Sequence, residues 1–483
     1  MRPSLRPVRL LSVALLAGAA FHGGGAQAAG MGAKPAKPEA PAPEVAAVGP
    51  VDDHPVLREI AAQVDPAQLH ATIETLVSFG TRHTLSDATS PDRGIGAARG
   101  WVKGRFEAIS KDCGGCLTVV TPAQVVTGKR VPNPTEVMDV VAVLKGTEEP
   151  ERVIVIAGHL DSRVTDVMNA TADAPGANDD ASGVAAAIEA ARVLSHHKFR
   201  ATLVFAALSG EEQGLLGGKV LADYAKAQGW QVEADLNNDI VGNIQGEDGV
   251  VDNTHVRVFS EGTKAVETVK QANQRRYSGG EVDSPSRNLA RYMDGIATRY
   301  LDNFSVRMVY RTDRFGRGGD QVPFLEAGSP AVRVTEAHEN YTRQHQDLRT
   351  EGGIHYGDTI DGVDFPYLAQ VTRLNALTMA SLAWAPAPPS DVKAEGAVKH
   401  DTTLSWAKVP GAAGYRVWWR DTVAPTWQHD HWAGDGVTVT LPNVVIDDWF
   451  FGVSAVSRDG FASPVVYPGP AGSFVAVPDP AGQ

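Results

Sequence analysis

Val153-Ile154-Val155-Ile156-Ala157-Gly158-His159-Leu160-Asp161 is the stretch on which the fold turns. Four β-branched residues followed by alanine leave no polar face, so the run reads as a strand buried on both sides. That is the pattern of a parallel sheet covered by helices. The run ends in Gly-His-x-Asp, and in an open α/β sheet the carboxyl ends of the strands face the binding crevice.

Working outward, strands and helices alternate. Ser182 to Leu194 reads as an Ala-rich helix, Thr202 to Leu208 as a second buried strand, Gly217 to Ala227 as a helix, and Leu236 to Val241 as strand-like. Val137 to Leu144 is a strand before this block, and Val256 to Phe259 and Pro330 to Val334 are strands after it. Helical spacing covers Pro66 to Phe79, Trp101 to Ser110, Thr263 to Ala272 and Tyr367 to Trp384. The expected fold class is α/β: a three-layer domain over residues 53–384, with a central, mostly parallel mixed sheet flanked by helices. Residues 385–389, Ala-Pro-Ala-Pro-Pro, read as a stiff linker. Beyond it, the short runs Thr402 to Trp406, Gly414 to Trp419, Val437 to Leu441 and Trp449 to Val456 predict a small all-β sandwich over 390–478.

Arg2, Arg6 and Arg9 beside the apolar run Leu10 to Ala20, with Ala26-Gln27-Ala28 after it, predict an export signal over residues 1–28. The run falls well short of the roughly 20 residues of a spanning helix, so no membrane span is expected in the mature chain. Residues 29–52, mostly Ala, Pro, Gly and Lys at first, predict a disordered leader. The predicted location is periplasmic or extracellular. The net charge of the 483-residue chain is −13, and losing three arginines and no acids with the signal takes it to −16. Such a balance argues against a nucleic-acid partner. Cys113 and Cys116 are the only cysteines, and in an exported chain they predict a local disulfide. A thioredoxin-like redox centre would follow a strand and open a helix, whereas this pair follows a helical stretch.

Five segments carry candidate chemistry. His159 is a plausible zinc ligand, and Asp161 two residues on suits a role in orienting its imidazole; a structural histidine gives the same His-x-Asp. In Asn178-Asp179-Asp180-Ala181-Ser182, directly before the Ala-rich helix, Asp180 or Ser182 can cap the helix. Capping uses one polar residue, which leaves Asp179 free to bridge two cations. Glu211-Glu212 follows the second buried strand, and two adjacent glutamates there can divide the jobs of ligating a metal and moving a proton. A solvated surface pair is the plain alternative. Asp239 sits beside an apolar run, where an unpaired charge is costly, so either a metal or a salt bridge accounts for it. After the last strand of the domain come two histidines, His338 and His345, between which spacing does not choose.

In this order the segments resemble the zinc-dependent aminopeptidase family of the Streptomyces and Aeromonas (Vibrio) leucyl aminopeptidase type, from about Val153 to Asp347. The resemblance implies two Zn2+ ions, with His159 and Asp239 on one, Glu212 and His345 on the other, and Asp179 bridging. It implies Glu211 as general acid and base, Asp161 orienting His159, and a peptide or protein substrate cut at its free amino terminus. It favours His345 over His338 because Gln344-His345-Gln346-Asp347 looks like the family's final ligand segment. Gly319 to Phe324 likewise resembles a segment bordering the cleft. Some relatives place a tyrosine, whose hydroxyl stabilises the oxyanion, where this chain has Gln344. Trp406 and Tyr415-Arg416-Val417-Trp418-Trp419 resemble a fibronectin type III domain, which suggests attachment or substrate binding and names no ligand.

Three other readings share these residues. A carboxypeptidase or a one-zinc glutaminyl cyclase of the same fold would differ in metal count and in its action on blocked peptides. A catalytically inactive binding ectodomain would have lost ligands, and here all candidates are present.

Overall fold

Val153–Ala157 form the middle of the strand Glu149–His159, with every one of the five side chains at most 1% exposed. The computed structural model describes residues 49–474. The predicted export signal, residues 29–48 of the predicted leader and residues 475–478 of the predicted sandwich lie outside the described residues. Among the described residues no helix is long and apolar enough to cross a membrane.

The strand Glu149–His159 lies within an eight-stranded sheet whose order, edge to edge, is Leu117–Val120, Val140–Leu144, Ala201–Leu208, Glu149–His159, Gln231–Asn238, Ala331–Glu336, His255–Phe259, Ser305–Val309. The four strands from Ala201–Leu208 to Ala331–Glu336 run parallel. Val140–Leu144 and His255–Phe259 join them antiparallel on either side. Side chains alternate faces along the strand. Ile154 and Ile156 enter a core with the helices Ala181–Leu194 and Phe365–Trp384. Val153, Val155 and Ala157 enter a second core with Leu216–Ala227 and Gln321–Glu326. This double burial is why the strand carries no polar face, and it makes the three layers.

Several elements differ from the sequence expectation. The stretch read as one strand from Val137 is two, Val131–Met138 and Val140–Leu144, broken at buried Asp139, whose Oδ1 accepts from the Ser209 amide at 2.9 Å. Val131–Met138 pairs with Ala123–Gly128 in a hairpin outside the main sheet. The helix expected from Thr263 begins six residues later, as Val269–Ser278, because Thr268 and Gln271 form a reciprocal capping box there. Helix Pro285–Tyr300, capped by Ser284, was absent from the expectation. Cys113 and Cys116 are joined in a disulfide.

After helix Phe365–Trp384, two three-stranded antiparallel sheets face each other, Lys393–Glu395/Thr402–Ser405/Thr438–Leu441 against His429–Gly434/Gly414–Asp421/Trp449–Val456. Leu404, Trp406, Tyr415, Val417, Phe451 and Val453 fill the space between them. Phe461 leaves this sandwich and packs on Trp384 and His54, joining the core of the large domain.

Candidate metal centre

Each parallel strand delivers polar residues at its carboxyl end, on one edge of the sheet. His159 is the last residue of its strand, Glu211 and Glu212 follow the strand ending at Leu208, Asp239 follows Asn238, and His345 lies in the loop after Glu336. Between them the chain turns into helix Ala181–Leu194. Asp180 caps that helix, accepting from the Gly183 amide at 2.9 Å through Oδ1, while Oδ2 accepts from the His159 amide at 2.9 Å. With Asp180 so occupied, Asp179 across a cis peptide points its carboxylate at the histidines.

The donor atoms fall into two groups that share one residue. His159, Asp179 and Asp239 form one triad, and Asp179, Glu212 and His345 form the other, with the donor atoms of each within 4.8 Å of one another. Asp179 Oδ1 lies 3.0 Å from His159 Nε2, and its Oδ2 lies 2.9 Å from His345 Nε2. Asp239 Oδ1 is 3.9 Å from His159 Nε2, and Glu212 Oε1 is 2.9 Å from His345 Nε2. Glu212 Oε1 is buried and faces the His345 ring.

These residues fit a pair of divalent cations. Imidazole nitrogens and carboxylate oxygens are the donor set that zinc accepts, and the three buried carboxylates of Asp179, Glu212 and Asp239 converging at one place call for compensating positive charge. Burial opposes protonation of His345, yet Glu212 and Asp179 push its pKa up to about 10. His159 is held well above the usual histidine range by Asp161 and Asp179, again against burial. Burial works against the charge of Asp179 too, but the two histidines hold its carboxyl well below the usual range.

Glu211 lines the cleft and belongs to neither triad. Burial, partly offset by His159 and reinforced by Glu212 and Asp239, pushes its carboxyl well above the usual glutamate range. Burial thus favours the protonated form of this carboxyl. Asp161 does more than face the ring of His159. Its carbonyl, not its carboxylate, is the nearer group to His159 Nδ1, at 3.0 Å against 3.7 Å. The carboxylate accepts from the amides of Gly210 (2.8 Å), Glu211 (3.2 Å) and Glu212 (3.1 Å) and from the Thr84 hydroxyl (2.9 Å). One buried aspartate therefore sets both the first histidine and the loop that carries both glutamates.

Of the two competing histidines, His345 joins a triad; His338 lies outside both, with its carbonyl accepting from Asn243. The side-chain amide of Gln344 lies between Glu339, Arg317 and Asp179. Three supporting residues escaped the sequence reading. Arg333, fully buried, places Nη1 2.5 Å from Asp239 Oδ2, which turns Oδ1 toward His159. Asp358 accepts from the amides of Asn178 (3.0 Å) and Asp179 (2.7 Å). Arg82, fully buried, donates to the carbonyls of Leu160 and Gly176. Arg333 had a signal: a guanidinium inside the apolar strand Ala331–Glu336 demands a carboxylate at the strand end. Asp358 and Arg82 act through backbone groups distant in sequence and had none.

Comparison with known proteins identifies the family and the fold. Residues 139–357 match the profile of Peptidase family M28. The chain is 45% identical over 418 residues to a protein of Leptosphaeria maculans named "Probable zinc metalloprotease", covering 86% of this chain and 97% of that one. A protein of the same name from Pyrenophora teres is 44% identical over 428 residues, covering 87% and 88%. Among solved structures, LapA of Legionella shares the fold at a TM-score of 0.50 and 18% identity, over 69% of this chain and 77% of that one. By the extent of its match to these relatives, the chain belongs to peptidase family M28.

Proposed function

We propose that this protein is an exported two-zinc exopeptidase that removes the amino-terminal residue of peptides. The observation that carries the reading is Asp179, whose two oxygens meet the two histidines of separate triads at 3.0 and 2.9 Å. His159 and Asp239 would hold one ion and Glu212 and His345 the other, with Asp179 shared by both donor groups. Zinc bound there would supply Lewis acidity for peptide-bond hydrolysis. Glu211 takes the proton released at the attacking water and returns it to the leaving amine. Asp161 keeps Glu211 and His159 in mutual register through the Gly210–Glu212 amides. The cleft of about 500 Å3 above the triads is large enough for a peptide end.

The Cys113–Cys116 disulfide supports export, since such bonds persist in oxidising compartments. The C-terminal sandwich is read as a fibronectin type III-like module. The test is metal analysis together with hydrolysis of free and N-acetylated peptides, before and after Glu211→Gln. Two zinc ions per chain, cleavage of free peptides alone, and a variant that keeps its zinc but loses turnover by at least ~100-fold are expected. Unchanged turnover in the variant removes Glu211 from the mechanism. Cleavage of acetylated peptides at equal rate removes the aminopeptidase assignment.

A further inference from the structure

Beside the donor triads, the cleft is lined by Arg130, Arg163, Arg314 and Arg317. Leu215 and Tyr341 are its only large apolar side chains among the described residues, so the wall gives little surface to an aliphatic or aromatic substrate side chain. Apart from the donor triads and Glu211, no carboxylate lines the cleft among the described residues. Glu339 alone serves Arg257 at 2.8 Å, Arg314 at 3.2 Å and Arg317 at 3.2 Å. Asp313 is shared between Arg314 (3.0 Å) and Arg333 (3.6 Å), and the other partner of Arg333 is Asp239, a member of a donor triad.

Arg163 and Arg130 are less matched still. The carboxylate paired with Arg163 is Glu212, 3.8 Å from Nη1 and itself in a triad. The guanidinium is meanwhile locked in place, with Nε donating to Val164 O at 3.0 Å and Nη2 to Thr165 O at 2.8 Å. Arg130, at the turn of the Ala123–Gly128/Val131–Met138 hairpin, has no ion pair among the described residues; its Nη1 donates to the Glu212 carbonyl at 2.9 Å. When the triad carboxylates serve cations, the rim keeps Arg163 and Arg130 held by backbone carbonyls and Arg317 held by Glu339, which it shares with two other arginines. A fixed guanidinium fork matches a carboxylate in two parallel hydrogen bonds, and fixing it beforehand lowers the entropy lost on binding.

From this we infer that the cleft selects peptides presenting a carboxylate beside the scissile bond, received by Arg163 and Arg317 with Arg130 at the mouth. The inference rests on the peptidase reading above. The carboxylate has two sources, an acidic side chain or the free C-terminus of a very short peptide.

The experiment uses the zinc-loaded full chain and measures kcat and KM on Glu-Ala-Ala-amide against Gln-Ala-Ala-amide, and on Ala-Ala against Ala-Ala-amide. A preference for the carboxylate member of at least one pair on the order of ten- to a hundredfold in kcat/KM is expected, expressed mainly in KM. The pair that shows it identifies the source. Arg163→Met and Arg317→Met should each bring that ratio toward one, whatever the absolute rate. Arg317 is partly exposed, so its variant tests the point even if loss of Arg163 impairs folding. In the unaltered protein the preference should shrink as salt rises. Cleavage with no preference, or with preference for Leu-Ala-Ala-amide over all of these, overturns the inference and leaves the peptidase reading standing. A preference that both variants retain overturns the assignment to these arginines. Failure to cleave any free peptide overturns the peptidase reading itself.

Discussion

Arg420 of the C-terminal sandwich reaches Asp283 of the large domain, with Nη2 2.8 Å from both carboxylate oxygens and both residues at most 1% exposed. Arg291 adds a second guanidinium at 2.9 Å, and the Arg420 plane lies over Phe450 and Trp427. Asp283 stands two residues before helix Pro285–Tyr300, so the pair anchors the sandwich to the start of that helix.

Breaking such a pair leaves a buried charge short of a partner, which costs about 3 kcal/mol or more. Arg420→Met should therefore lower the stability of the whole molecule by roughly that amount, less whatever Arg291 recovers. Because Phe461 of the sandwich belongs to the large domain's core, unfolding should remain a single transition at lower denaturant concentration. A variant within about 0.5 kcal/mol of the parent, or one in which the sandwich melts separately, contradicts this coupling.

Asp161 is the hinge of the proposed centre, since its carboxylate accepts three consecutive loop amides. Burial opposes its charge, but the His159 ring, the Thr84 hydroxyl and those amides hold its carboxyl below the usual range. Asp161→Asn replaces one acceptor by a donor that faces amide donors, so the Glu211–Glu212 loop must shift. Zinc affinity should fall about 10- to 100-fold, the usual cost of losing a partner behind a ligand. Competition with a chelator measures it, and unchanged affinity sinks the role.

Much of this was legible in the chain, for identifiable reasons. Val153–Ala157 announced itself because both faces are buried, which removes any helical or alternating pattern. That Asp180 caps the helix and leaves Asp179 free of that task followed from capping needing one acid of two. Helix Pro285–Tyr300 was hidden because its buried face carries Arg287 and Arg291, whose partners, Ser260 and Asp283, lie outside it. A periodicity argument counts those positions as solvent-facing. His345 against His338 was undecidable from spacing, because the loop folds back through a left-handed backbone at His345 itself (φ 56°). The supporting contacts of Asp161 and Asp358 go to main-chain amides, which every residue carries and no motif marks.

Glu261 gives the molecule a pH dependence outside the metal centre. Burial, offset only in part by the Ala265 amide, Lys264 and Arg287, pushes its carboxyl to about 7. A carboxyl whose folded pKa lies above its unfolded value binds its proton more tightly when folded. Its contribution is therefore present below about pH 4.5 and is lost as pH rises toward 7, by roughly 3 kcal/mol at most. Glu261→Gln keeps an acceptor for the Ala265 amide, 3.1 Å from Oε2, and removes the titration. The variant should match the parent near pH 4.5 and exceed it in stability at pH 8. Parallel stability curves across that range refute the assignment.

Gly183 sits where three parts of the centre converge. A Cβ there would lie 2.3 Å from the Asn238 carbonyl, next to Asp239, and 2.5 Å from Asp180 Oδ2, the atom that accepts from the His159 amide. None of these is the loose end of a flexible chain, so Gly183→Ala must push strand Gln231–Asn238 or the Asp180 cap away from helix Ala181–Leu194. Gly158, whose Cβ would meet Gly183 at 2.4 Å, allows no retreat on the other side. Overpacking of this kind costs about 1 to 3 kcal/mol. The sharper consequence falls on the donor atoms, because the displaced backbone carries Asp239 and holds His159. Zinc affinity should drop further than stability explains, whereas Gly104→Ala, on the helix Gly94–Asp112 with open space around it, should leave affinity unchanged. Equal zinc affinity in the two variants shows that the close approach of strand and helix has no part in placing the ligands.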